Sequence, residues 1–332
     1  RPAQGCRRPL PVTKTVALRR PVTLRVLFLG SPPFATPVLA ALLRSRFRPI
    51  AVVTPPNRPR GRGRRVEPSP VASLADAAGV VLIQPDSARD RDFQDQVRDL
   101  APDVMMVVSY GEILNQDFLD LAPALNIHGS LLPRHRGASP IQTAILQGDA
   151  ETGVTIQRIV LALDAGDILH EKRTAIGDAE TSGELFERLE NLGVEAALEA
   201  LEMLESGTAN FAPQDESVAT HCHKITKPMG IVDWSRPSAE LDCHVRGMNP
   251  WPSAQTSIED GRGLKIHKAR PLAGDDLTQA LASEVAQNGP GTVIEADKRF
   301  LVTTGDGVME LEEVQLAGKR AMGAADLLRG LS

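Results

Sequence analysis

Two residues suited to proton transfer and oxyanion stabilisation stand near the middle of the chain. Asn126 and His128 are two positions apart in the predicted strand 125–128, so their side chains point to the same side of it. An asparagine amide can donate a hydrogen bond to a developing oxyanion, and a histidine can exchange a proton near neutral pH. The pair predicts an active site for acyl-type transfer that uses neither a metal nor a covalent intermediate.

A third candidate, Asp164, lies in the stretch 162–169, ALDAGDIL. A carboxylate there suits two tasks, fixing the tautomer of His128 or removing a proton through water. Structural roles fit the same residues, with Asn126 capping a turn, His128 buried in the core and Asp164 in an Asp-Ala-Gly turn. Spacing alone leaves both interpretations open.

Residues 24–160 alternate between apolar strands and helices. A strand at 24–29 runs into the turn Gly30-Ser31-Pro32-Pro33 and then into a helix at 34–43. This alternation predicts a parallel sheet with helices on both faces, whose ligand binds at the carboxyl ends of the strands. Further strands are predicted at 50–54, 80–83, 104–108, 125–128 and 154–160, and further helices at 71–78 and 93–100.

The pattern changes in the second half of the chain. Thr181 and Glu184 form a capping box that predicts the start of a long helix, which Gly207 closes. A segment without a sustained period follows, and after it come short strands separated by turn signals, as in a small β-barrel. The predicted division is a disordered tail at 1–23, a catalytic domain at 24–207, a linker at 208–228 and a barrel domain at 229–332.

Charge is unevenly distributed along the 332 residues, whose net charge is -5. Residues 1–66 contain fifteen Lys and Arg and no acid, whereas the remainder has 22 bases and 42 acids. The basic end predicts binding of a polyanion. Arginines in a loop interrupted by glycine and proline can contact phosphates, although a solvated basic loop is the alternative. The loop contains Arg58, Arg60, Arg62, Arg64 and Arg65.

Other classes of protein are disfavoured by composition. Apolar runs such as 104–108 are strand-sized, which excludes a membrane span. Three cysteines without a CxxC pair favour a reducing compartment, so we expect the bacterial cytoplasm or the interior of an organelle. His221 and His223 point to opposite sides of an extended segment, which favours an ordinary linker over a zinc site with Cys222.

Longer motifs resemble the folate-dependent formyltransferases. They include HGSLLPRHRGASPIQ at 128–142, LDAGD at 163–167 and NPWP at 249–252, and the similarity extends over 24–328. The resemblance implies an α/β fold, with a Rossmann-like, mostly parallel formyltransferase domain followed by a small OB-like β-barrel domain. It also implies formyl transfer from 10-formyltetrahydrofolate to the amino group of methionyl initiator tRNA, for translation initiation. The implied catalytic residues are Asn126, His128 and Asp164, with no metal.

The resemblance also implies the binding residues. Two segments are expected to form the folate pocket: Tyr110, Gly111, Glu112, Ile113 and Leu114, and Ser130, Leu131, Leu132 and Pro133. The arginine loop is expected to engage the acceptor end of the tRNA, with Arg58 as its principal arginine. The chain departs from the family at Val160 and Ala162, where an acid and a glycine are usual, so the geometry of that loop is open.

Other functions remain compatible with parts of this pattern. The same chemistry could act on the amine of a sugar nucleotide or on a purine precursor. A purine-precursor enzyme would lack the C-terminal domain, and a sugar-nucleotide enzyme has less use for the arginine loop. A non-catalytic RNA-binding protein on the same fold is a third possibility, and the intact set of Asn126, His128 and Asp164 argues against it.

Overall fold

The computed structural model describes residues 23–57, 59–60, 65–272, 279–296 and 299–331, so residues 1–22 of the predicted tail lie outside it. Up to residue 206 the strands are β1 (Val26–Gly30), β2 (Ala51–Val53), β3 (Pro59–Arg60), β4 (Arg65–Val66), β5 (Val81–Ile83), β6 (Val104–Val108), β7 (Ala124–His128), β8 (Arg136–Gly137), β9 (Glu151–Arg158) and β10 (Ile168–Ala175). The helices are α1 (Ala35–Arg44), α2 (Pro70–Ala77), α3 (Arg91–Leu100), α4 (Gln116–Leu119), α5 (Pro140–Leu146) and α6 (Ser182–Ser206).

Seven of these strands form one sheet in the order β10-β9-β7-β6-β1-β2-β5. Neighbours from β7 to β5 pair in parallel, while β9 is antiparallel to both β7 and β10. The chain builds the sheet outward from β1 to β5 and then crosses to β6 on the other side of β1. The predicted Rossmann-like, mostly parallel sheet is confirmed, and its topological switch point lies between β1 and β6.

Helices cover both faces of this sheet. Every residue of β1 and β6 is buried, as continuous apolar strands of a parallel sheet require. On one face Val38 of α1 and Leu189 of α6 belong to the core, and on the other face Phe93 of α3 does. Within the described ranges, no helix combines the length and the apolar character needed to cross a bilayer.

Residues 208–228, where the sequence predicts a linker, pack against the part of the chain before residue 207. Ala212 and Ile168 exchange two backbone hydrogen bonds of 2.8 and 2.9 Å. After a 3-10 helix at Glu216–Val218, strand β11 (His221–Cys222) pairs in parallel with β8. Backbone hydrogen bonds therefore hold this segment against the catalytic part at two places.

The rest of the chain forms an antiparallel half-barrel, which confirms the predicted second domain. A 3-10 helix at Lys227–Gly230 precedes α7 (Ser238–Met248), β12 (Ala254–Ser257), β13 (Gly263–Pro271), α8 (Gln279–Gln287), β14 (Val293–Ala296), β15 (Arg299–Thr303), β16 (Val308–Leu316), β17 (Met322–Gly323) and α9 (Ala324–Leu331). The sheet order is β12-β13-β16-β15-β14, with β17 paired to β16. Leu241 of α7 and Leu327 of α9 pack in its core.

The two parts of the chain meet at the start of α6. The Ser182 hydroxyl and the Gly183 N–H both donate to the Asn249 carbonyl, at 2.7 and 3.1 Å. On the neighbouring helices, Gly247 of α7 lies against Leu146 of α5, where a larger residue would collide. These contacts connect the half-barrel to the same helix that covers the catalytic sheet.

The capping box predicted from the sequence is present at the start of α6. The Thr181 N–H and hydroxyl donate to the Glu184 carboxylate at 2.9 and 2.8 Å, and the Glu184 N–H donates back to the hydroxyl. These hydrogen bonds lower the pKa of Glu184 below its ordinary 4.5. The stabilisation is therefore complete above about pH 4.5 and is lost as the pH falls through the lowered pKa.

We expect Glu184→Ala to lower the free energy of unfolding by about 1 kcal/mol at neutral pH, because two donors lose their acceptor. The measurement is urea denaturation at pH 7 and at pH 3.5, where the difference from the unaltered protein should shrink. Glu187→Ala is the matched control, since Glu187 is an exposed glutamate of the same helix. Equal losses in the two variants would contradict the role of the capping box.

Candidate active site

The predicted catalytic residues gather at the carboxyl end of β7. Asn126 and His128 lie on this strand, opposite Gln157 and Thr155 of β9. Asp164 lies in the loop between β9 and β10, and its Oδ2 is 3.7 Å from Nδ1 of His128. The fold therefore brings the Asp164 carboxylate close to His128. The spacing of these residues in the sequence could not establish that they meet.

His128 has one ring nitrogen already committed to the protein. Its side chain is 6% exposed, and Nε2 lies 2.9 Å from the carbonyl oxygen of His135. Because a carbonyl only accepts, Nε2 carries the hydrogen and donates it. Nδ1 is thus the nitrogen that faces Asp164. At 3.7 Å it is beyond direct hydrogen-bond length from the carboxylate, so it remains available to a substrate.

Two N–H donors hold the Asp164 carboxylate. The Gly137 N–H donates to Oδ2 at 2.8 Å, and the Gln157 amide donates to Oδ1 at 3.0 Å. Asp164 has a φ of 50°, in the left-handed region that few residues other than glycine adopt. This conformation depends on the surrounding contacts to persist. Ala162, which departs from the family glycine, has no positive φ and needs no such support.

Asn126 is the one member of the three without a side-chain partner among the residues that the structure describes. Its side chain is half-buried, and in the described part of the chain its carboxamide makes no hydrogen bond. An amide N–H left free beside His128 can donate to the oxygen of a tetrahedral intermediate. The arrangement therefore offers an oxyanion donor at Asn126 and proton exchange at Nδ1 of His128.

The first predicted folate segment turns most of its side chains inward. Tyr110, 3% exposed, and Leu114 belong to the core beneath the sheet. The Glu112 carboxylate accepts a backbone N–H before α3 at 2.8 Å, and Gly111 has a φ of 83°. Ile113 is 78% exposed. A ligand on the exposed side of this segment would meet the Ile113 side chain and backbone groups.

The second predicted folate segment is tied to β9. The Thr155 hydroxyl donates to the Ser130 carbonyl at 2.7 Å and accepts the Leu132 N–H at 3.1 Å. Leu132 is buried and Leu131 is half-buried. The Pro133 carbonyl accepts a backbone N–H from residues 208–228 at 3.1 Å. This segment is therefore a fixed wall, because internal hydrogen bonds already hold its backbone.

Exposed apolar side chains mark the loop that carries Asp164. Val160, Leu161 and Leu163 are 40, 64 and 66% exposed. Ile159, where the loop begins, packs against the same core cluster as Leu114, which places the loop and the segment 110–114 on one face of the sheet. Apolar surface of this kind beside fixed polar groups suits a flat ring system.

A cleft of about 310 Å³ opens at the switch point, at the carboxyl ends of β1, β2 and β6. Thr54 and Tyr110 are among its lining residues, and both have buried hydroxyl oxygens with no partner within the described residues. Buried hydroxyls are normally hydrogen-bonded, so a polar ligand or a water would satisfy them. The cleft is therefore a second candidate binding region, on the other side of β6 from β7.

The arginine loop leaves from the rim of this cleft. Asn57 and Glu67, on either side of the loop, both line the cleft, and β3 and β4 form an antiparallel pair between them. Of the predicted arginines, Arg58, Arg62 and Arg64 lie outside the described residues, and for Arg60 and Arg65 the structure describes only the backbone. The ends of the loop are thus placed at the cleft, while contacts of its arginines are not described.

Comparison with protein families decides the relationship. The model of the family described as formyl transferase matches residues 24–201, and that of its C-terminal domain matches residues 224–332. The chain belongs to the formyl transferase family. The family matches thus cover both the sheet that carries the predicted catalytic residues and the half-barrel.

Solved structures share the fold of this formyltransferase. HypX from Aquifex aeolicus, solved with tetrahydrofolic acid, is 18% identical with a TM-score of 0.57, over 92% of this chain and 47% of HypX. The chain therefore spans about half the length of HypX. An N-formyltransferase from Helicobacter canadensis, solved with folinic acid and dTDP-3-aminofucose, is 18% identical with a TM-score of 0.63, over 87% and 98% of the two chains.

A third similar structure is WlaRD, a sugar 3N-formyl transferase solved with dTDP and 5-N-formyl-THF. It is 16% identical, with a TM-score of 0.62, and the match covers 90% of this chain and 100% of WlaRD. At these identities the matches show a common fold and leave the acceptor substrate open.

Two glutamines that the sequence analysis did not identify complete the site. Gln157, 1% exposed, donates to the Asp164 carboxylate, and Gln214 donates to the Asp164 carbonyl at 2.8 Å. A glutamine near the end of the predicted buried strand at 154–160 is a signal that could have identified Gln157, because buried amides need partners. No pattern marks Gln214, which lies in the aperiodic segment 208–228.

Cys222, which was considered as a zinc ligand, and His244 of α7 are both buried. Among the residues that the structure describes, no three His, Cys, Asp or Glu side chains group so as to hold a metal. The Cys222 thiol donates to the His135 carbonyl at 3.4 Å, and burial raises its pKa. Burial also lowers the pKa of His244, which lies 3.4 Å from the Gly230 carbonyl. Both groups pack inside the protein.

The buried ring of Tyr110 allows a direct test, because it is the only tyrosine of the chain. Burial, and secondarily the negative charge of Glu112, raise its pKa well above the ordinary 10.0. Folded-state stability is therefore complete below pH 10 and falls as the pH rises further. In an alkaline titration we expect tyrosinate absorbance near 295 nm to appear only with loss of the circular dichroism signal. Tyrosinate formed near pH 10 in the folded protein would refute the buried placement.

Proposed function

We propose that this formyltransferase transfers the formyl group of 10-formyltetrahydrofolate to the amino group of methionyl initiator tRNA, for translation initiation. The observation that carries this choice of acceptor is the position of the arginine loop, whose ends at Asn57 and Glu67 line the cleft. Five arginines in one loop suit the phosphates of an RNA end. A tRNA acceptor stem held there would direct its aminoacyl group into the cleft.

The folate is proposed to bind across the loop that carries Asp164. Similar solved structures hold tetrahydrofolic acid or folinic acid. In this chain, the exposed side chains of Ile113, Leu161 and Leu163 offer an apolar surface for the pterin. Backbone groups of the segment 110–114 would supply hydrogen bonds to the edge of the ring.

In the proposed reaction the neutral amine attacks the formyl carbon, and negative charge develops on the formyl oxygen. The Asn126 amide donates to this oxygen, and His128 donates to it from Nδ1 once that nitrogen has taken the amine proton. The bond between the formyl carbon and the folate nitrogen then breaks, and that nitrogen receives the proton that the amine has lost. One N–C bond forms and one breaks, so no metal or covalent enzyme intermediate is required.

The structure supports a specific division of labour for the proton. Nε2 of His128 is held by the His135 carbonyl, so Nδ1 is the ring atom that exchanges a proton and faces the reacting groups. Asp164, 3.7 Å from Nδ1, stabilises the imidazolium that forms and orients the ring. A water beside its carboxylate relays the proton toward the leaving folate nitrogen.

A sugar-nucleotide amine is the second candidate acceptor, because two of the similar structures are sugar N-formyltransferases solved with dTDP or a dTDP-sugar. Such a substrate carries two phosphates, which one or two cations satisfy. The arginine loop contains five arginines, and its ends at Asn57 and Glu67 line the cleft, which favours the longer polyanion. A purine precursor gains no support from any contact described here.

The acceptor can be tested directly. The protein is incubated with 10-formyltetrahydrofolate and methionyl initiator tRNA, and the product is resolved on an acid gel. In parallel reactions a dTDP-amino sugar replaces the tRNA. We expect formylation of the aminoacyl-tRNA only. Formylation of the sugar with unaltered aminoacyl-tRNA would replace the proposed acceptor with the second candidate.

Variants of the catalytic residues establish that the activity comes from this site. We expect Asn126→Ala to reduce single-turnover formylation by about 100-fold, because the developing oxyanion loses a donor. His128→Ala should cause a loss of at least this order. Asn191→Ala, in the exposed face of α6, is the matched control. A rate unchanged by His128→Ala would remove that residue from the mechanism.

The arginine loop is expected to act on the tRNA and not on the folate. We expect Arg58→Ala to raise the KM for tRNA about 10-fold through one lost charged contact, with the KM for folate unchanged. The slope of log KM for tRNA against log salt should fall by about 1. Arg89→Ala, an exposed arginine before α3, is the control. Equal changes for both substrates would contradict a specific role in tRNA binding.

A further inference from the structure

A chain of buried and half-buried polar groups lies behind Asp164. It begins at the surface with Glu216, whose carboxylate receives two hydrogen bonds of 2.9 and 2.7 Å from Arg136. Arg136 is 4% exposed and also donates two hydrogen bonds, of 3.0 and 2.7 Å, to Oε1 of Gln214. Gln214 Nε2 in turn lies 3.1 Å from Oε1 of Gln157, which contacts the Asp164 carboxylate.

These contacts fix the orientation of both amides. A guanidinium can only donate, so Oε1 of Gln214 must face Arg136 and its NH2 group must face the other way. There it meets only acceptors, the carbonyls of Asp164 and Gly166 at 2.8 and 2.7 Å and the amide oxygen of Gln157. Because the Gln157 amide oxygen accepts from Gln214, the Gln157 NH2 group faces Asp164. It donates to the Asp164 carboxylate, which can only accept.

Gln214 therefore acts on Asp164 in two ways. It holds the carbonyl of a residue whose φ of 50° is unfavourable for a side chain with a Cβ. It also orients the Gln157 amide that donates to the carboxylate. The loop from 159 to 167 is otherwise exposed on its apolar side, so these polar contacts fix the carboxylate beside His128.

We propose that Gln214 is a positioning residue for catalysis, held by Arg136 and acting through Gln157 and the backbone of the loop on the Asp164 carboxylate. This inference rests on the proposed formyl transfer for its kinetic consequence, but its geometric content concerns only Asp164 and His128. The segment 208–228 thereby contributes a group to the active-site scaffold besides joining the two parts of the chain.

The substitution Gln214→Glu distinguishes the positioning of Asp164 from the attachment of residues 208–228 to Arg136. The glutamate is isosteric and keeps an oxygen for Arg136, so the anchoring contact persists as an ion pair. Its second oxygen replaces the NH2 group and faces three oxygen acceptors, which repel it. Gln96→Glu, the same change on an exposed position of α3, is the matched control. Thermal denaturation of both variants shows whether the fold is retained.

The kinetic expectation is a split between kcat and KM. A carboxylate displaced from its position costs on the order of 10- to 100-fold in rate. We therefore expect Gln214→Glu to lower kcat by that factor, with the KM for folate and for tRNA within about 3-fold of the unaltered protein, since neither substrate contacts Gln214. A kcat equal to that of Gln96→Glu would overturn the proposal.

A second measurement is independent of the acceptor. The imidazole resonance of His128 can be assigned by its loss in His128→Gln and compared between variants at one fixed pH. If Gln214→Glu moves the carboxylate away from Nδ1, this resonance shifts, whereas it stays in place in Gln96→Glu. An unchanged resonance would overturn the proposal even if kcat fell. A shifted resonance in a protein that formylates no tRNA would support positioning and refute the proposed acceptor.

Discussion

The hydrogen bond from Nε2 of His128 to the His135 carbonyl is the contact on which the site depends. It selects the tautomer and turns Nδ1 toward Asp164, which no property of β7 alone would achieve. The surrounding contacts hold that carbonyl in place. The His135 N–H donates to the Thr220 hydroxyl at 2.9 Å, and its ring lies 2.6 Å from the Asp149 carboxylate. His135, which is 2% exposed and has a φ of 58°, is thus held through its N–H, its ring and its carbonyl.

The sheet topology explains how two substrates could approach this site from different directions. The switch point between β1 and β6 opens the cleft from which the arginine loop leaves, while the apolar loop around Asp164 lies beyond β7 at the antiparallel edge. The two regions differ in chemistry as well as place. Unpaired hydroxyls of Thr54 and Tyr110 belong to the cleft, and exposed leucines belong to the loop. Asn126 and His128 stand on the strand between them.

The parts of the site that the sequence could predict are those governed by local periodicity. Asn126 and His128 share a side because a strand repeats every two residues, and Thr181 with Glu184 caps a helix because three residues span its first turn. The burial of the Tyr110 ring could not be predicted in the same way, since it depends on how the strands and helices around it pack. Gln214 is fifty residues from Asp164 in sequence, so only the folded chain brings its amide to that carbonyl.

The segment after α6 shows why a stretch without periodicity can still be structurally specific. At Gly137, whose φ is 121°, a Cβ would collide with the Cys222 carbonyl oxygen, so only glycine lets β11 approach β8. The same Gly137 provides the N–H that holds the Asp164 carboxylate. Gly137 therefore serves two purposes. It lets β11 approach β8, and it helps to place the Asp164 carboxylate. The path from the catalytic sheet to the half-barrel thus runs through contacts that support Asp164.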